Sequence, residues 1–146
     1  TCHGLAHPNL KADDLAKMLG AGHPINTDFE LVKYSQGSVR HRHYPPDIKT
    51  NAEMTPQELA NIYAVGQAAA LVSATEAMSK SSEEKYKEAQ KKRVEIAKGA
   101  LSGISEASGL LAAPTRQNAL SFVKSIAGKD LTGAIGSKLP AKSDYK

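Results

Sequence analysis

Tryptophan is absent from this chain of 146 residues, phenylalanine occurs twice, and aromatic residues make up only 5% of it. A core without large rings must be filled by Leu, Ile and Val together with the abundant Ala, Gly and Ser, so packed helices must approach closely along small residues. The single cysteine, Cys2, excludes an internal disulfide. It leaves a free thiol, a bridge to another chain, or a covalent link to a cofactor. Positive charge is in small excess, +4 with an isoelectric point near 9.1, and it is spread along the chain, which does not indicate nucleic-acid binding. The run from Leu59 to Met78 is poor in charge, but Asn61, Gly66, Gln67 and Glu76 interrupt it, and it reads as a buried helix rather than a membrane span. There is no internal repeat, no glycine-rich phosphate loop and no Cys or His pair with zinc-finger spacing. No signal peptide is visible, because Thr1 opens polar sequence, so the chain reads as mature or trimmed.

What is present divides into a histidine-rich module, residues 1–50, and a helical part, residues 51–146 with a loose C-terminal tail. The expected fold is mainly α: an N-terminal module with a short β-hairpin, then an antiparallel three-helix bundle. Asn9 is placed to cap a helix from Lys11 to Leu19, with Asp13 and Asp14 in its first turns and Gly20 and Gly22 as its stop. Alternation predicts strands at Phe29 to Tyr34 and Ser38 to Tyr44 around a Ser35-Gln36-Gly37 turn, ended by Pro45-Pro46. Period 2 would put His41 and His43 on one face and Arg40 and Arg42 on the other.

The helical part opens on Thr55-Pro56-Gln57-Glu58, a capping box with proline at the first helical position, and the helix should run to about Ser79. After Lys80-Ser81-Ser82 a second helix starts at Glu83-Glu84 and continues towards Ser108. Its charged half, Glu83 to Lys98, is expected to face water, and Gly99, Gly103 and Gly109 to permit close packing. Thr115 caps a third helix to about Ala127, with Leu120, Val123 and Ile126 inward, before Gly128. A further helical turn is expected near Leu131 to Ile135. Two long helices with a short link imply an antiparallel pair.

The chemistry lies before residue 50. Thr1-Cys2-His3-Gly4 carries a Cys-His pair followed by Gly, the second half of the C-x-x-C-H motif that attaches haem c. The motif's first cysteine would fall two residues before Thr1, so Cys2 supplies one thioether. A short helix and then Gly22-His23-Pro24 follow, as in the segment after such a motif in small and multihaem proteins. Over its first third the chain therefore resembles a c-type cytochrome. The resemblance implies an electron-transfer protein carrying one haem c through Cys2, with His3 as proximal iron ligand and a periplasmic or extracellular bacterial location. His23 is the preferred sixth ligand, because Gly22 and Pro24 hold it in a tight loop, with His41 or His43 as replacements. His7 is too near His3 to reach the opposite face, and Met18 or Met54 rank lower. Arg40 or Arg42 would pair the propionates. Redox proteins are the implied partners, and the helical part would stabilise the chain or assemble it with copies of itself.

Two other chemistries use the same residues. His41 and His43 could serve as general acid and base of a small basic nuclease or toxin-like domain, with Arg40 or Arg42 stabilising the transition state. Cys2, His3, His7 and His23 together offer ligands for zinc or copper. A helical interaction protein whose histidines are incidental is the remaining expectation.

Overall fold

The computed structural model describes residues 4–37 and 53–146. Among the described residues the chain is helical, with seven α-helices and no strand: α1 (Ala12–Gly20), α2 (Leu31–Ser35), α3 (Pro56–Lys80), α4 (Glu84–Leu101), α5 (Ser108–Ala112), α6 (Arg116–Ile126) and α7 (Thr132–Ile135). No helix among them is long and apolar enough to cross a membrane.

The long helices begin where local chemistry starts them. Thr55 Oγ1 accepts from Glu58 N–H, and the Glu58 carboxylate accepts from Thr55 N–H at 2.7 Å, closing the capping box of α3. Thr55 follows the same logic as Thr115, whose Oγ1 accepts from Asn118 N–H at the start of α6. α4 returns along α3, and their shared core is built largely from alanine: Ala60, Ala64, Ala68, Ala74, Ala97 and Ala100 are all buried. α6 and α7 add Phe122, Ile126, Leu131 and Ile135 to the same cluster. Arg116 ties α6 to α3 through two hydrogen bonds to the Glu76 carboxylate, at 2.8 and 2.7 Å.

Several expectations are corrected. The first arm of the hairpin is helical: the buried-side Glu30 carboxylate accepts from Val32 N–H at 2.9 Å and Lys33 N–H at 2.8 Å, which starts α2 in place of a strand. The second arm, Ser38 to Tyr44, lies outside the described residues. α1 is capped by Lys11 and not by Asn9, whose N–H instead donates to His7 Nδ1. α4 ends at Leu101 and does not reach Ser108, because Gly103 interrupts it and Ile104 turns inward to be buried. Lys138 Nζ then donates to the carbonyls of Gly99 and Ala100, a cation at the negative helix end. Gly99 and Gly109 meet nothing at close range, and the tight approach is at Gly66 on α3, where a Cβ would lie 2.9 Å from Leu31 Cβ. The C-terminal stretch is not loose: Leu139 and Tyr145 pack on the core, and Lys146 N–H donates to Lys33 O at 2.9 Å.

A second, smaller core gathers the N-terminal module onto the α3–α4 turn. Leu5, Ala6, Ala12, Leu15 and Ala16 are buried with Ala77 of α3 and Tyr86 of α4.

Candidate functional site

The site that the structure presents lies around this second core, where the N-terminal segment crosses α4. α4 is rich in Lys and Glu, yet Tyr86, Gln90 and Arg93, spaced four and three apart, lie on its buried face. Their polar atoms meet the backbone of the N-terminal segment. Tyr86 Oη–H donates to Leu5 O, Gln90 Nε2–H donates to Gly4 O at 2.8 Å, and Arg93 donates to Gly4 O at 3.5 Å and to Gln90 Oε1 at 2.7 Å. The remaining guanidinium arm reaches Ser73 Oγ of α3 at 3.4 Å. Burial pushes the Arg93 guanidinium down from its ordinary value, against a smaller opposing effect of Tyr86. It likewise pushes the Tyr86 phenol up.

The backbone gripped by this row is special at two adjacent positions. Gly4 lies so close to Arg93 that a Cβ there would stand 2.2 Å from the guanidinium carbon, so a side chain at this position would have to displace the buried guanidinium. Leu5 has φ 47, the left-handed region that costs a residue with a Cβ roughly 1–2 kcal/mol. It holds this conformation while 3% exposed, with its side chain in the second core and its carbonyl on Tyr86.

Downstream, the end of α1 places His23. Gly22, at φ 89, lets the chain turn back so that Gly22 N–H donates to Leu19 O at 3.0 Å and His23 N–H to Met18 O at 2.9 Å. These two bonds close a Schellman motif, the stop that Gly22 promised. His23 Nδ1 lies 2.9 Å from Pro24 O. A carbonyl only accepts, so Nδ1 carries the proton and the neutral ring presents an unprotonated Nε2. His7 is the opposite case: its Nδ1 accepts from Asn9 N–H at 3.2 Å, which assigns the proton of the neutral ring to Nε2.

Both imidazoles line an open apolar groove of about 590 Å³, with Leu10, Leu15, Met18 and Ile25 among its walls. That volume is of cofactor size. Leu10 is 52% and Met18 39% exposed, so the groove presents large apolar side chains that nothing among the described residues covers. A cleft of about 440 Å³ continues beyond Leu10 and Leu15 towards Val72, Leu120 and Val123.

Of the residues singled out in the sequence, His23, His7 and Met18 share this groove. Met54 lies elsewhere, where its sulfur accepts from Gln36 Nε2 at 3.4 Å. Cys2, His3, Arg40, His41, Arg42 and His43 lie outside the described residues. Among the described residues no three His, Cys, Asp or Glu side chains gather as a metal site. The Tyr86–Gln90–Arg93 row escaped the sequence reading. Its signal was available as helical spacing, since 86, 90, 93 and 97 share one face while Lys87, Glu88, Lys91, Lys92 and Glu95 fall off it. No family model, curated protein or solved structure matches this chain.

Proposed function

We propose that the N-terminal module attaches one haem c and that the protein transfers electrons. The observation that carries this is His23: it stands on the wall of an apolar groove with Nδ1 engaged by Pro24 O and Nε2 left as a ligand. A metal-binding imidazole needs that arrangement, because the bond at one ring nitrogen selects the tautomer at the other. The groove suits a flat, apolar macrocycle. Leu10, Leu15 and Met18 would cover its faces and keep water from the iron.

In this reading Cys2 would hold the haem by one thioether, and His3 and His23 would supply the iron's two imidazole ligands. When bound, the haem supplies reversible one-electron iron chemistry. The chain's own part is to fix both imidazoles, so that the coordination shell stays the same in the two oxidation states, and to leave one edge open to a redox partner. Arg40 and Arg42 are the candidates for the propionates, and a low-spin spectrum retained in His23→Ala would give the sixth position to His41 or His43 instead. The α3, α4 and α6 helices act as a bundle that stabilises the module and offers a surface for self-association. Thioether formation belongs to a periplasmic or extracellular setting.

The test is expression of the chain with intact cytochrome maturation. A red product whose colour survives acid-acetone extraction is expected, with a six-coordinate low-spin spectrum that turns high-spin in His23→Ala while the haem stays attached. A colourless product under those conditions ends the proposal.

A further inference from the structure

The polar row on α4 spends its hydrogen bonds in one place. Gly4 O receives Gln90 and Arg93, and the next carbonyl, Leu5 O, receives Tyr86. These two carbonyls belong to the peptide that leads directly into His3 and Cys2. An apolar row of equal volume would seat α4 against the core without desolvating a guanidinium. It could not grip two backbone carbonyls.

Two further observations point the same way. The left-handed backbone of Leu5 has to be held by its surroundings, and strain of this kind is found where a segment must keep one orientation. Gly4 packs directly on the Arg93 guanidinium, which a side chain there would have to displace, so the peptide is located by shape as well as by hydrogen bonds. The row also reaches α3 through Ser73, which ties the grip to the α3–α4 pair and not to α4 alone.

We infer that Tyr86, Gln90 and Arg93 are positioning residues, a clamp that holds the backbone of Gly4 and Leu5, the residues next in sequence to His3 and Cys2, against the α3–α4 pair. What the clamped segment carries rests on the proposed function. The clamp does not, and the two can fail separately.

The experiment uses the full chain without haem, and reads amide hydrogen exchange and backbone order parameters at Leu5, Ala6 and His7. Tyr86→Phe removes one hydroxyl and keeps the ring. It is expected to speed exchange at these amides about fivefold to tenfold, the effect of one lost hydrogen bond, while amides of Leu71 and Leu101 stay protected. Gly4→Ala, which drives a Cβ into Arg93, is expected to give a larger acceleration with the same locality. Unchanged exchange at residues 5–7 in both variants, with helical content retained, overturns the clamp. Equal acceleration throughout α3 and α4 also overturns it, since the row would then be an ordinary core contact. If haem is attached, the midpoint potential of Tyr86→Phe should shift with attachment unimpaired. Local acceleration in a chain that never takes up haem leaves the clamp standing and removes the electron-transfer proposal.

Discussion

Gln90→Leu is the sharpest perturbation of the buried row, because Gln90 bonds both to Gly4 and to Arg93 while having no exposed surface. The substitution removes the donor to Gly4 O at 2.8 Å and the acceptor for Arg93 at 2.7 Å. The first bond is neutral, worth about 1 kcal/mol, and the second is charge-assisted, worth about 1.5–3 kcal/mol. A loss of about 3 kcal/mol is therefore expected, or a fall of about 6–12 °C in Tm for a chain of this size. Arg93→Met removes the bonds to Gln90, Gly4 and Ser73, but it also takes away a charge that is costly to bury, and about 1–2 kcal/mol should be lost. If the two sites were independent the double variant would lose about 4–5 kcal/mol. It is expected to lose only about 2 kcal/mol, because the buried guanidinium that Gln90→Leu strands is no longer there. Urea titrations followed by circular dichroism give all four free energies. Additivity within about 0.5 kcal/mol would refute the claim that Gln90 and Arg93 act as a unit.

Gly66→Ala should destabilise the protein although alanine is the better helix former by about 1 kcal/mol. The new Cβ would stand 2.9 Å from Leu31 Cβ and push α2 away from α3, and a raised Tm in a thermal melt would contradict this. Glu106 shows a pH effect with a defined sign. Its hydrogen bond from Lys129, at 2.5 Å, holds its carboxyl down to about 2, assisted by backbone and Ser105 hydrogen bonds. A depressed carboxylate contributes stability that is complete above the ordinary value of 4.5 and is lost as pH falls through about 2. In Lys129→Met the Glu106 midpoint, read by carboxyl carbon NMR, should move up towards the ordinary range. An unmoved midpoint would assign the depression to the remaining hydrogen bonds.

The places where sequence and structure agree are those where the cause is local. Thr55, Pro56 and Glu58 start α3 through atoms within three residues of one another, and Thr115 starts α6 in the same way. Gly22 stops α1 because a left-handed turn needs no partner beyond the preceding helix. The disagreements come from contacts between distant segments. Residues 29–34 alternate well enough for a strand, but Glu30 can cap α2, and α2 then has α3 to pack on at Gly66. Gly99 and Gly109 looked like packing glycines and meet nothing, since which small residue is needed depends on which helix arrives.

The candidate site divides along the same line. The sequence by itself determined that Cys2 and His3 stand next to Gly4, and that His23 sits in a glycine-proline loop at the end of α1. It also determined that no glycine-rich phosphate loop or zinc-finger spacing competes with them. Only the tertiary structure decided that His23, Met18 and Leu10 line one groove. It also turned a charged helix so that Tyr86, Gln90 and Arg93 face inward to the carbonyls of Gly4 and Leu5, 81 to 89 residues away in the chain. Helical spacing defines a face, but whether that face meets water or a strained backbone is set by what packs against it.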